Sequence, residues 1–237
     1  MTTTAQSSPI PAIILFGSPG SGKGTQARLL QNCLRGPHIS TGDMLRSHIQ
    51  AGDSIGNQAQ ALIKSGRLVP DEMVNELVKQ RLQDSDCQAG IILDGYPRTT
   101  NQAQVLLGFM QSFGYQAAVV YLMVDYEVIV ARLSGRRQCP VCGTLYNMKT
   151  NPPKVPGICD LEGAKLVTRE DDRESVIRER LNQYEVQTRP LLDFFRQAGV
   201  PMLEIKAADA SPEEISQEIC RSLHSAGLML TTNNGSR

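Results

Sequence analysis

The chain has 237 residues, enough for one or two domains and for a core that needs no disulfides. Hydrophobic residues make up 41% and charged residues 20%, with 20 glycines, which excludes collagen-like, coiled-coil and mostly disordered classes. The 24 basic residues balance the 24 acidic ones, and aromatic residues are 5% with no Trp, so neither a basic coat for nucleic acid nor a row of stacking platforms for single strands is expected.

Met1–Pro9 lacks the basic start and apolar heart of a secretory signal and reads as a tail, like the stretch from 227 to 237. No apolar run approaches the ~20 residues that span a bilayer. The expectation is a cytoplasmic chain with reduced cysteines and no membrane partner. Ala12–Phe16 reads as a buried strand ending at glycine, and Thr25–Leu34 follows with helical character. Between Ser40 and Val69 come short helical pieces broken by Gly42, Gly52, Gly56 and Gly66. Pro70-Asp71-Glu72 opens a helix that places Met73, Val74, Leu77, Val78 and Leu82 on one face. Ile91–Leu93 is a strand stopped by Asp94-Gly95, and Ala117–Val124 is a longer one, apolar throughout and so covered on both faces.

From Gly135 to Asp172 the apolar periodicity disappears, and Pro140, Pro152, Pro153 and Pro156 exclude a long helix. So long a stretch without a core pattern predicts a small inserted domain. Ser175–Gln197 then reads as one charged helix burying Val176, Leu181 and Leu191, and Met202–Ile205 as a last strand. Ser211-Pro212-Glu213-Glu214 carries a capping box with proline at the first helical position, starting a terminal helix toward Leu223. Strands alternating with helices predict an open parallel sheet wrapped on both faces.

The strongest local signal is Gly17-Ser18-Pro19-Gly20-Ser21-Gly22-Lys23-Gly24-Thr25, lying between a strand and a helix. Its glycines allow backbone N–H groups to wrap phosphate oxygens, and the helix N-terminus adds partial positive charge. Gly20, Ser21, Gly22, Lys23, Gly24 and Thr25 are thus the expected triphosphate contacts, with Lys23 reaching the outer phosphates. In the general phosphate-loop pattern a hydroxyl residue directly follows the lysine; here Gly24 intervenes and Thr25 supplies it one place later.

Such loops serve many reactions, so the second substrate has to come from other motifs. These are Ser40-Thr41-Gly42-Asp43-Met44-Leu45-Arg46, Arg67-Leu68-Val69, and Leu93-Asp94-Gly95-Tyr96-Pro97-Arg98-Thr99 with Gln102. Together with the loop they resemble the adenylate kinase family in its long-lid bacterial form, from about Ile13 to about Leu223. The resemblance implies an α/β, P-loop nucleoside triphosphate hydrolase-like three-layer fold with a central parallel sheet of about five strands. Residues 10–39, 70–134 and 173–226 would form the core, 40–69 an AMP-binding segment and 135–172 a lid.

The resemblance also implies roles. Arg46 and Arg98 would grip the AMP phosphate, since guanidinium groups pair with phosphate oxygens two at a time. Thr41 and Gln102 would read adenine, because an amide both donates and accepts. Arg67, where relatives often have lysine, would line the AMP pocket with Leu68, Val69, Gly95, Tyr96 and Pro97. Asp94 would hold magnesium through water. Arg132, Arg136, Arg169 and Arg180 would neutralise the moving phosphoryl group, Arg136 on the ATP side and Arg169 and Arg180 on the AMP side. Asp171 and Asp172 match positions that hold these arginines between turnovers, while Arg137, Arg173 and Arg178 read as surface charge. Leu145 and Tyr146, with Lys206 through its backbone, would touch the adenine of ATP.

The inserted segment carries Cys139-Pro140-Val141-Cys142-Gly143 and Cys159-Asp160-Leu161-Glu162-Gly163. Two thiolates around a tight turn make half of a tetrahedral zinc site. In the family, metal-binding lids carry four cysteines, or three with an aspartate, so a structural zinc on Cys139, Cys142, Cys159 and Glu162 is expected. Water or Asp160 are the alternatives for the fourth position, and a hydrogen-bonded polar network is the alternative to metal. Cys33, Cys87 and Cys220 are isolated and read as ordinary thiols.

The resulting expectation is Mg-dependent, reversible transfer of the terminal phosphate of ATP to AMP by a monomer that has no nucleic-acid partner. The same motifs leave three rival functions: a kinase using GTP or another monophosphate, a zinc-knuckle nucleic-acid-binding ATPase, and a binding protein that has lost activity. Thr41 and Gln102 speak for AMP, charge balance speaks against the second rival, and the presence of Lys23 and the arginines against the third.

Overall fold

The computed structural model describes residues 10–208 and 210–228. The expected tails at 1–9 and 229–237 lie outside the described residues, but Leu228 is buried in the core, so packing extends past residue 226.

In chain order the regular elements are β1 (Ile10–Phe16), α1 (Lys23–Leu30), β2 (His38–Ser40), α2 (Thr41–Ala51), α3 (Ser54–Ser65), α4 (Asp71–Leu82), β3 (Ile91–Asp94) and α5 (Thr100–Phe113). They continue with β4 (Tyr115–Met123), α6 (Tyr126–Ser134), β5 (Arg136–Gln138), β6 (Leu145–Asn147), α7 (Glu174–Gln183), α8 (Leu191–Gln197), β7 (Met202–Lys206) and α9 (Pro212–Ser225). Strands β2-β3-β1-β4-β7 form one five-stranded sheet, parallel throughout. Every carboxyl end therefore opens on the same edge, where Gly17, Thr41, Gly95 and Ala207 follow their strands.

The side-chain period of 2 divides the apolar strands between two cores. Ala12, Ile14 and Phe16 face one side with Ile91, Leu93 and Val119; Ile13 and Leu15 face the other with Ile92, Ala118 and Val120. The first side is covered by α4, α5 and α8, and the second by α1 and α9. Each fully buried leucine or isoleucine contributes roughly 1.5–3 kcal/mol, so continuous apolar strands are affordable only where helices cover both faces. The capping box forms as expected: Ser211 Oγ accepts from the Glu214 N–H at 3.2 Å, and Glu214 accepts from the Ser211 N–H at 2.8 Å.

Two local expectations need correction, and one strand carries no sequence signal of its own. The short strand β2 contains a single buried apolar residue, Ile39, too little to show a strand period. The helix expected over Ser175–Gln197 is broken: a wide turn spans Tyr184–Thr188, the Arg189 N–H bonds the Tyr184 carbonyl five residues back at 2.8 Å, and Pro190 supplies no N–H before α8. Cys33 and Cys220 are not free thiols. They form a disulfide of 2.15 Å that joins the end of the α1 region to α9, helices that pack side by side on one face. Cys87 is a buried free thiol, as read.

The segment after α6 is a small unit with its own core. Strands β5 and β6 pair antiparallel, Gln138 bridges Val167, and Ile158 bridges Lys165. Cys139, Tyr146, Cys159 and Leu166 fill its centre. No helix among the described residues is long and apolar enough to cross a membrane.

Candidate active site

The carboxyl edge of the sheet, α2, α3 and the β5–β6 unit enclose a cavity of about 630 Å³. The glycine loop forms one wall. Gly22 adopts φ +102° as the residue before α1, a left-handed conformation, and a Cβ there would meet nothing within 4 Å. The backbone is thus open toward the cavity at the helix start, the geometry that anions occupy. Lys23 Nζ donates to the carbonyls of Gly17 at 2.7 Å and Ser18 at 2.9 Å. Burial brings this ammonium down to about 8, although nearby Asp94 favours its charged form.

Asp94 ends β3 and lies 3.4 Å from His38 Nε2. Burial pushes the Asp94 carboxyl up, but the His38 hydrogen bond and the charges of Lys23 and Arg98 outweigh it and hold the group below its ordinary value. An ionised carboxylate beside the loop lysine fits a hydrated magnesium ion. His38 was not singled out from the sequence, since nothing local ties it to a residue 56 positions away.

A second cationic wall faces the loop. Arg98 Nε donates to the Gly95 carbonyl at 2.8 Å, leaving its terminal nitrogens for the cavity, and burial depresses its pKa. Arg46 pairs with Asp43 at 2.5 Å while its buried Nε has no protein partner. Thr41 Oγ1 donates to the Gly95 carbonyl at 2.8 Å and keeps its lone pairs for a ligand. Gln102 lines the same side at 2% exposure. Arg67, Leu68, Val69, Tyr96 and Pro97 also border the cavity.

Between the two walls lies an arginine–aspartate network. Asp172, whose side chain is 0% exposed, accepts from Arg136 Nε at 2.7 Å and lies 3.3 Å from Arg180. Asp171 pairs with Arg169 at 3.1 Å and with Arg180 at 3.0 Å. Burial brings Arg169 and Arg180 down to about 10, with Arg46 and Arg136 repelling the former. Burial raises the Asp171 carboxyl, but Arg180 and Arg169 overcome this and hold it far below the carboxylate range. Four guanidinium groups, those of Arg46, Arg136, Arg169 and Arg180, thus crowd around two carboxylates at one cavity.

Some expected contacts differ. Arg132 borders the cavity, but its guanidinium is engaged with the carbonyls of Ala207 at 2.8 Å and of Ser21 and Ala208 at 3.3 Å. Lys206 is exposed and off the cavity; Ala207 and Ala208, the next residues, border it instead. Leu145 and Tyr146 both border the cavity as expected, but the hydroxyl of the buried Tyr146 lies 3.5 Å from Cys159 Sγ and accepts from the Asp160 N–H at 2.9 Å.

The ligand atoms of Cys139, Cys142 and Cys159 lie within 4.8 Å of one another. The two turns share one pattern: Gly143 N–H bonds Cys139 and Gly163 N–H bonds Cys159, at 3.0 and 2.9 Å. Three converging thiols on such turns fit three positions of a zinc site. The Glu162 carboxylate is not part of the cluster. That residue is exposed, and it serves the turn through its backbone N–H, which points at Cys159. Asp160 is committed to the Lys154 N–H at 2.8 Å.

A phosphate loop facing a second, arginine-lined anion site across one cavity defines a nucleotide phosphotransferase of the parallel α/β class. The model of the family described as adenylate kinase matches residues 15–200. The chain is 47% identical over 204 residues to the adenylate kinase of Moorella thermoacetica, covering 86% of this chain and 94% of that protein. It is 44% identical over 213 residues to that of Methanococcoides burtonii, covering 89% and 97% respectively. Against the adenylate kinase of Clostridium perfringens strain 13 it is 42% identical over 214 residues, covering 90% and 97%. The chain belongs to the adenylate kinase family, the ATP:AMP phosphotransferases.

Proposed function

We propose that the cavity holds Mg·ATP on the glycine loop and AMP on the opposite wall, and that the terminal phosphate passes between them to give two ADP. The observation that carries this reading is the pair of cationic centres on one cavity, Lys23 within the loop and Arg46, Arg98, Arg169 and Arg180 facing it. Phosphoryl transfer requires little covalent help; it needs alignment and neutralised charge. Lys23 neutralises the outer phosphates of the donor, and Arg46 with Arg98 fixes the acceptor phosphate in line. Asp171 and Asp172 hold Arg136, Arg169 and Arg180 ready until phosphate oxygens replace the carboxylates as partners. Asp94 would hold a hydrated magnesium ion, which would supply charge neutralisation on the donor phosphates. Residues 40–69 cover the monophosphate and 135–172 the triphosphate, so that water is kept from the transferring group.

Cys139, Cys142 and Cys159 would hold a structural zinc that stiffens the lid and takes no part in the reaction. Its fourth position falls to water or to Glu162 brought in from solvent. Both candidate nucleotide sites lie within one chain, which supports a monomer.

A coupled assay of AMP, CMP, UMP and GMP, each with ATP and with GTP as donor, tests the reading. AMP with ATP is expected to be the fastest pair, and preference for another acceptor would overturn it.

A further inference from the structure

Asp71 opens α4 directly behind the Arg67–Val69 segment, and its carboxylate gathers three donors from the start of α5. Oδ1 accepts from Gln102 Nε2 at 2.8 Å; Oδ2 accepts from Thr99 Oγ1 at 2.7 Å and from Asn101 Nδ2 at 3.0 Å. On its other side, Gln102 Oε1 accepts from the Arg98 backbone N–H at 2.8 Å. These two contacts decide which way round the carboxamide sits. A backbone N–H can only donate and a carboxylate can only accept, so the amide oxygen must face Arg98 and the amide nitrogen must face Asp71.

The start of α5 does not by itself account for this arrangement. A side chain in the third helical position needs only an acceptor to serve the helix entry, and glutamate would supply one equally well. The ordered amide nitrogen is therefore extra. Once both contacts are made, Gln102 retains one N–H and one oxygen lone pair, in a fixed order, on the cavity wall. A 6-aminopurine presents an acceptor at N1 and a donor at its amino group. A 6-oxopurine presents the reverse, a donor at N1 and an acceptor at O6. The order that satisfies the first leaves buried groups unpaired against the second.

We propose that Asp71, which does not itself line the cavity, is a specificity-determining positioning residue: by fixing the orientation of the Gln102 carboxamide it makes the acceptor site select a 6-aminopurine over a 6-oxopurine monophosphate. The inference rests on the reading that Gln102 meets the base of the acceptor nucleotide. With the carboxylate removed, only the Arg98 N–H still opposes the flipped amide, so the order is held by one contact in place of two and the side chain gains rotational freedom that AMP has to quench.

The test measures kcat and KM for AMP and for IMP, with Mg·ATP as donor, in the unmodified chain, Asp71→Asn, Asp71→Ala and Gln102→Ala. Asp71→Asn keeps the size of the side chain, and its own amide can turn to suit either orientation. The AMP-over-IMP ratio of kcat/KM is expected to fall about ten-fold or more in both Asp71 variants, through KM, because a lost charged partner weakens base discrimination by at least that much. Equal losses for AMP and IMP at an unchanged ratio would show a merely structural carboxylate and overturn the inference, as would an unmodified chain that does not distinguish AMP from IMP. If Gln102→Ala keeps the ratio, the base is not read by Gln102 and the underlying reading fails; if Gln102→Ala collapses the ratio but Asp71→Asn does not, only the inference fails. Should Asp71→Ala not fold, Asp71→Asn carries the comparison alone.

Discussion

Replacing Lys23 with Met separates what this residue does for the fold from what it does for the reaction. The ammonium is lowered from 10.5 to about 8 by burial, with Asp94 opposing. Its folded value lies below its unfolded one, so at pH 7 both states carry the proton and the full penalty is present. At ~1.4 kcal/mol per pH unit, the folded chain gives up about 3 kcal/mol to keep this lysine charged. Against that stand its bonds to the Gly17 and Ser18 carbonyls at 2.7 and 2.9 Å, which together contribute roughly 3–5 kcal/mol as charge-assisted contacts. Methionine has a similar unbranched length and brings neither term, so stability should change by less than about 2 kcal/mol. Turnover has no such offset: the loop loses its only cation next to the moving phosphate, and the rate should fall by about 10³ or more. Coupled ADP formation measures the rate, and a urea melt of the same preparation measures stability. A variant that turns over within about ten-fold of the unmodified chain would refute the role given to Lys23.

The same lysine predicts a pH dependence. Its destabilising contribution is present below about 8 and fades as pH rises from 8 toward 10.5, while ATP binding, which needs the charge, weakens over that window. Titrations of ATP at several pH values should show weakening above 8 in the unmodified chain and none from this source in Lys23→Met. Asp172→Asn removes a fully buried charge paired with Arg136 and Arg180, and should cost about 3 kcal/mol of stability in thermal or urea melts. Saturating nucleotide should restore more stability to this variant than to the unmodified chain, because phosphate replaces the missing partner; equal shifts would contradict the holding role of Asp172. Cys142→Ser should release zinc from protein purified without chelators and lower the melting temperature; unchanged melting with no metal in either form would remove the zinc.

What was legible in the sequence was mostly local. The glycine loop, the Leu93–Thr99 run and the Ser211 cap are contiguous stretches whose backbone needs are written in neighbouring residues. The longer strands were legible because Ala12–Phe16 and Ala117–Val124 are too apolar to lie anywhere but between two layers. Pairings across the chain were not: His38 meets Asp94, and Asp71 meets Gln102, only because strand and helix ends converge on one edge of the sheet. The Cys33–Cys220 bridge spans 187 positions, and neither flank carries a spacing that announces it. Glu162 stands at the family's fourth ligand position in sequence, yet its longer side chain remains in solvent while its backbone makes the turn. Pro190 should have divided the helix after the lid; the surrounding apolar spacing at Val176, Leu181 and Leu191 concealed the break.

Phosphorus NMR of the purified chain mixed with Mg·ATP and AMP tests the central claim most directly. Transfer across one closed cavity predicts two ADP for every AMP consumed, approach to equilibrium from either side, and little free phosphate when AMP is omitted. Steady release of inorganic phosphate with AMP left untouched would contradict it.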